Sequence, residues 1–259
     1  MAIDLKSLSK PSNSRPIIAT LFGEGGMGKT TLAAMFPDPV FVRTEDGTAS
    51  LAGADNVALF DVAQSPQDVF DQIEALATQD HGFKTVVVDS VTQFEKLCVR
   101  KIIDDEPNVK CKNMAAAHGG YGKAFGILDG MHQDLREAAG YLASVKGINV
   151  VFLAHATTEE LELPDIDKYS RYTVTLHKNR QYDCSHHYTN NVDLVAFIRL
   201  KTNVRGTTEG KKRAISDGER EIICFPVASN VSKNRFGITE PIPFNFETGN
   251  PFAPYLKGN

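Results

Sequence analysis

The chain is poor in cysteine, has no long apolar run, and carries no excess of basic charge. Its four cysteines, Cys98, Cys111, Cys184 and Cys224, are scattered and form no CxxC pair. That excludes a disulfide-stapled framework and suggests reduced thiols in a cytosol-like compartment. No stretch approaches the ~18 apolar residues of a membrane span, so no membrane partner is expected. The opening MAIDLKSLSKPSNSRP lacks the apolar centre of a signal peptide, so the expected location is cytoplasmic. With 28 basic and 32 acidic side chains the net charge is −4, which excludes a uniformly basic coat protein for nucleic acid but not a local basic patch.

What is present is an ordinary globular composition, with 42% hydrophobic and 23% charged residues. At 259 residues, one domain with elaborations is expected. Residues 1–15 are polar and read as a flexible arm. Pro16–Phe22 is a short apolar run that suits a strand buried on both faces. Further strands are expected at Val40–Arg43, Val57–Phe60, Thr85–Asp89 and Ile148–Ala154. Helical spacing marks Thr30–Phe36, Pro66–Gln79, Val91–Ile102 and Phe125–Val145. Strands alternating with helices predict an α/β fold, with a mostly parallel central sheet and helices on both faces. After His155 the pattern becomes β-rich, with strand-like runs at Tyr172–Leu176, Val192–Leu200 and Glu221–Val227. Residues 201–220 read as a loop or hairpin tip, and 241–259 as a C-terminal tail without periodicity.

The run Gly23-Glu24-Gly25-Gly26-Met27-Gly28-Lys29-Thr30 matches GxxxxGK[ST] in full, with Thr31 beside it. Glycines let backbone N–H groups turn inward around phosphate oxygens. Lysine then reaches the outer phosphates and the Thr30 hydroxyl meets Mg²⁺. The run follows an expected strand and opens an expected helix, which is the context the motif requires. ATP and Mg²⁺ are therefore the expected ligands. Asp89, ending an apolar strand, is the expected second group on Mg²⁺.

Hydrolysis needs a group that orients and polarises water. The residue after Asp89 is Ser90, so that group lies elsewhere, and Glu45 past the second strand is the candidate. A solvated acidic turn would give the same local sequence. Glu24 stands where partition-type ATPases carry an extra lysine. His155 ends the last parallel strand and is a candidate sensor of the γ-phosphate. In Lys233-Asn234-Arg235-Phe236-Gly237, an extended backbone would turn Lys233 and Arg235 to one side. Two such cations suit a γ-phosphate held by a neighbouring subunit.

Taken together, Gly23–Thr30, Thr44-Glu45-Asp46, Val86–Asp89, Val151–His155 and Lys233–Gly237 resemble the RecA-like P-loop ATPase core. The set looks most like compact phage-encoded ATPases of single-strand annealing and recombination, AAA-type nucleotide-binding proteins. The resemblance covers most of residues 16–245 and implies a RecA-like ATPase domain at 16–240. It implies Glu45 as the water-activating base, His155 as the sensor, and Lys233 and Arg235 as trans fingers in a homo-oligomer. RecA recombinases usually carry an amide at the sensor position. A phage origin would put the chain in the cytoplasm of a bacterial host cell.

Residues 168–180 hold Lys168, Arg171, Lys178 and Arg180 without an acid, interleaved with Tyr169 and Tyr172. Cations that track phosphates and rings that stack on bases suit single-stranded DNA. Lys168, Arg171, Tyr172, Lys178 and Arg180 are the candidate contacts, in a β-rich insert at 168–220. Residues 199–220 add seven basic against three acidic side chains, and 108–123 read as a mobile loop offering a second contact. A solvated hairpin with strand-forming tyrosines has the same composition. Asp183, Cys184, His186 and His187 fit no standard zinc spacing. The expected function is ATP hydrolysis coupled to single-stranded DNA, with a single-strand-binding protein as a further candidate partner. A small-molecule kinase and a nucleotide-gated adaptor with little hydrolysis are the alternatives.

Overall fold

Every residue of strand β1, Ile18–Gly23, is buried. Its side chains alternate between two cores. Ile18 and Phe22 enter one; Ala19 and Leu21 enter the other. A strand covered on both faces has no polar face to show, and so its sequence is a nearly unbroken apolar run. The same division holds in β4 (Thr85–Asp89), where Val86 and Val88 face one core and Val87 the other.

The structure, a computed structural model, describes residues 15–108, 110–206 and 212–256, and the side chains of all of these except 202–217. Nearly all of the expected arm, and 207–211 within the expected hairpin tip, lie outside the described residues. The remaining strands are β2 (Pro39–Arg43), β3 (Ala58–Leu59), β5 (Asn149–Leu163), β6 (Ile166–Val174), β7 (Leu194–Gly206), β8 (Lys212–Ile223), β9 (Lys233–Asn234) and β10 (Ile242–Phe244). The central sheet runs β10-β8-β7-β1-β5-β4-β2-β3. From β7 to β3 all neighbours are parallel; β8 and β10 add an antiparallel edge. The fold is the expected mostly parallel α/β architecture of a P-loop NTPase core.

Helices α2 (Pro66–Thr78), α3 (Val91–Asp104) and α4 (Lys123–Val145) cover one face, contributing Val69, Phe94 and Leu128 to its core. Helix α1 (Lys29–Ala34) covers the other with Leu32 and Ala33. Local signals set the helix starts. Ser65 caps α2 in a capping box with Asp68, with Pro66 in the first turn. Ser90 caps α3 by accepting from the Gln93 N–H. No helix among the described residues is long and apolar enough to cross a membrane.

Three segments extend the expected picture. Strand β5 does not stop near Ala154. Beyond His155 it leaves the sheet and pairs antiparallel with β6. Strand β7 lies inside the sheet, parallel to β1, so the stretch 168–220 is not one appendage. The segment read as a tail supplies β10 and places Phe244 and Phe252 in the second core. It covers the face that α1 alone leaves bare.

Candidate functional site

The phosphate loop leaves the carboxyl end of β1. Gly23 pairs with His155 on β5 and with Ile198 on β7. A Cβ at Gly23 would stand 2.4 Å from the Ile198 carbonyl oxygen, so only glycine lets the strands close here. Gly28 has φ +90°, and a Cβ there would meet the Phe246 ring at 2.5 Å. The loop's shape thus depends on glycine twice, once for backbone conformation and once for contact with the C-terminal segment.

Lys29 is buried, and its ammonium donates to the carbonyls of Gly23 (3.0 Å) and Glu24 (2.9 Å). Burial lowers its pKa, while the Asp89 and Glu45 carboxylates oppose that shift. The Thr30 hydroxyl donates to Asp89 Oδ2 at 2.9 Å. Asp89 is buried, and burial raises its carboxyl pKa despite the Thr30 hydrogen bond. A hydroxyl and a carboxylate side by side are hard oxygen donors, the set that suits Mg²⁺.

Glu45 is positioned by a knot between the ends of β2 and β4. The Thr44 N–H donates to the Asp89 carbonyl at 2.8 Å. The Thr44 hydroxyl donates to the Ser90 carbonyl at 2.9 Å and accepts from the Ser90 N–H at 2.8 Å. The Ser90 hydroxyl then donates to Glu45 Oε1 at 3.0 Å. His155 Nε2 lies 3.4 Å from the same oxygen. The His155 contact, then Ser90 and Lys29, hold the Glu45 carboxyl below its ordinary range against the opposing effect of burial. Lys29, Thr30, Glu45, Asp89 and His155 thus form one group around the phosphate loop. The exposed loop residues Glu24, Gly25 and Gly26, with half-buried Met27 and Thr31, frame it.

Lys233 and Arg235 belong to a different place. Strand β9 pairs with Leu194 and Val195 at the start of β7, whereas Gly23 pairs with Ile198 further along. That separation is about 10 Å along the strand. Lys233 donates to the Asn190 carbonyl. Arg235 pairs with Asp193 at 3.3 Å, and Arg15 pairs with the same carboxylate.

The cations of residues 168–180 are mostly engaged within the chain. Lys168 pairs with Glu160 (2.6 Å), and Arg171 and Lys178 pair with Glu159 (2.7 and 2.9 Å). Acids on the preceding strand, outside the acid-free stretch, face Lys168 and Arg171 across the β5–β6 hairpin, and Lys178 reaches Glu159 from the segment after β6. Tyr172 stacks on Phe197 with centroids 4.8 Å apart. Arg180 is exposed and has no ion pair among the described residues. In the 108–123 loop, Tyr121 is 99% exposed with φ 55°. The start of α4, directly after that loop, adjoins 177–182: Phe125 stacks on His177 at 4.2 Å, and Gly126 lies against Tyr182.

Two features of the site escaped the sequence reading. In sequence Ser90 marks only the lack of a glutamate beside Asp89, yet it links Asp89 to Glu45. Phe246 lay in a segment without periodicity, and its approach to Gly28 had no local signal. A cavity of about 600 Å³ lined by Arg220, Phe244 and Asn245 adjoins it. Arg220 lies over the Phe246 ring, 4.8 Å from its centroid.

A search of the curated proteins gives no match. A scan against protein families matches the AAA domain over residues 15–236, from the start of the described chain to just past β9. That span holds the loop, the Asp89 strand and the Glu45 turn together, and the chain belongs to the AAA domain family, with a nucleotide-binding ATPase domain of the P-loop type.

Proposed function

We propose that the chain is a RecA-like ATPase that hydrolyses ATP at the interfaces of a homo-oligomer and acts on single-stranded DNA in recombination or strand annealing. The observation that carries the catalytic part is the Ser90–Glu45–His155 contact beside Lys29 and Asp89. The carboxylate is ionised, held at two points, and within electrostatic reach of the loop lysine. It is thus ready to accept a proton from water attacking the γ-phosphate. Lys29 neutralises the developing charge on the phosphates. Thr30 and Asp89 would hold Mg²⁺, which when bound withdraws charge from the phosphate oxygens. His155 contacts the catalytic carboxylate and leads directly into the β5–β6 hairpin, which suits a sensor. The purine would lie against Phe246 and the adjoining cavity.

Lys233 and Arg235 lie away from their own phosphate loop, which favours action on a neighbour's nucleotide. The DNA assignment rests on Tyr121 and Arg180, a bare ring and a cation on adjoining segments. Lys168, Arg171 and Lys178 would serve only by exchanging their carboxylate partners for phosphates. The test is phosphate release with and without single-stranded DNA across a range of salt. Stimulation that fades as salt rises is expected, because phosphate contacts release counterions. A phosphorylated acceptor would favour a kinase instead. Tight ATP binding without turnover would favour an adaptor.

A further inference from the structure

Outside the nucleotide set, three side chains distant in sequence meet. Glu95 lies on α3, His132 on α4, and Cys184 just before helix α5 (His186–Thr189). One donor atom from each lies within 4.8 Å of the others, the one such group of three His, Cys, Asp or Glu among the described residues. We propose that this cluster is a binding site for one zinc-class divalent ion, held by the Glu95 carboxylate, His132 Nε2 and Cys184 Sγ.

The imidazole carries the argument. His132 is fully buried, yet its Nε2 has no hydrogen-bond partner among the described residues. Glu95 Oε2 is 3.2 Å away but without hydrogen-bond alignment. The other nitrogen, Nδ1, lies 2.8 Å from the Tyr188 hydroxyl. If Nδ1–H donates to that hydroxyl, Nε2 presents a lone pair to the cluster. Metal-binding histidines are characteristically held this way, with the distal nitrogen fixed by a partner.

The other two donors are also held. The His177 N–H donates to both Glu95 oxygens, at 3.0 and 2.8 Å. The Cys184 N–H donates to the His177 carbonyl at 3.0 Å. One residue therefore aligns two ligands. A divalent ion with a thiolate and a carboxylate makes a neutral unit, which lowers the cost of burying the charges.

The donor chemistry sets the ion class. Thiolate, imidazole and carboxylate favour zinc over Mg²⁺ or Ca²⁺, which take oxygen donors. Three protein ligands leave a fourth position for water. The Glu95 side chain is 17% exposed, so the cluster is not sealed from solvent. A bound ion would staple α3 to α4 and to the segment after β6, and α3 begins directly after Ser90. Of the cysteine and histidines weighed together in the sequence, only Cys184 joins this group. His186 pairs with Asp183 at 3.2 Å, and His187 with Asp129 at 2.9 Å.

The test uses the full chain, stripped with a chelator and titrated with zinc ion against a chromophoric competitor. One zinc per chain is expected, with a rise in melting temperature. Cobalt ion in its place should give the absorption band of a cobalt–thiolate bond. Cys184→Ser should abolish that band and weaken zinc at least tenfold, whereas Cys111→Ser should do neither. Tyr188→Phe removes only the partner of Nδ1 and should weaken zinc by about 10–100-fold. Sub-stoichiometric zinc, or binding unchanged in Cys184→Ser, overturns the site. If Cys184→Ser does not fold, the wild-type cobalt spectrum decides, and a spectrum without a thiolate band also overturns it.

Discussion

The Ser90 hydroxyl donates to Glu45 Oε1 at 3.0 Å, joining the residue after Asp89 to a carboxylate from the end of a neighbouring strand. The proposed base is therefore not adjacent to that aspartate in sequence. It reaches the site from a neighbouring strand and is held there by a serine. Ser90→Ala should therefore slow turnover about tenfold, which is ~1.4 kcal/mol, while leaving the KM for ATP nearly unchanged. The change also removes the cap of α3, so a stability loss of about 1 kcal/mol is expected. Steady-state kinetics and a thermal melt separate the two effects; an unchanged kcat would remove Ser90 from the catalytic unit.

Glu45→Gln keeps the shape of the side chain but cannot take a proton. Turnover should fall by about 10²–10⁴-fold, with nucleotide affinity retained. Binding of a fluorescent ATP analogue and phosphate release measure the two quantities. Full turnover in this variant would move the base elsewhere.

The Glu45 carboxyl is held below its ordinary range, first by His155. The carboxylate therefore stays ionised as the medium acidifies past the usual carboxylate value. The linked stability is complete above the unfolded-state pKa and is lost as pH falls through the lower folded-state value. His155→Ala removes the chief cause of the lowering. The acid limb of the kcat/KM profile should then move to higher pH. A limb that does not move would mean that Glu45 ionisation is not what it reports.

Arg235 lies with Asp193 at the start of β7, away from its own phosphate loop. An Arg235→Ala chain and a Lys29→Ala chain should each be inactive alone, and mixing them should restore part of the activity. Such rescue requires interfaces that draw the loop from one chain and the cation from another. No recovery at any mixing ratio argues for a merely structural Arg235.

Phe252 is fully buried in the core beside α1, with its ring 6.4 Å from that of Phe36. Phe252→Ala should cost about 3–5 kcal/mol, from lost transfer energy and the cavity left behind. For a chain of this size that lowers the melting temperature on the order of 10 °C. A shift of a degree or two would mean that the C-terminal segment does not hold the second core together.

Local chemistry made much of this protein legible. The phosphate loop is written in consecutive residues, because a backbone cradle needs glycine at fixed spacing. The strands read correctly because burial on both faces leaves a continuous apolar run, as in Val86-Val87-Val88. The position of Asp89 at the end of β4 followed from such a run. Ser90 did not: its meaning depends on Thr44 and Glu45, some 45 residues earlier, brought close only when β2 pairs with β4.

Pairing across the fold also decided what the charges do. In sequence Lys168, Arg171 and Lys178 form a basic stretch without an acid, but the antiparallel hairpin sets Glu160 and Glu159 against Lys168 and Arg171, and the segment after β6 brings Lys178 to Glu159. Periodicity could not reveal that 241–259 closes a core, because Phe244 and Phe252 act one at a time and not as a helix or strand face. The sequence alone therefore determined the phosphate cradle and the parallel sheet, since both arise from short-range backbone demands and repeated burial. Which carboxylate Ser90 and His155 hold beside the phosphate loop, which cations remain unpaired, and which donors meet at His132 were decided by tertiary structure, because electrostatic and hydrogen-bond partners are chosen by distance in space.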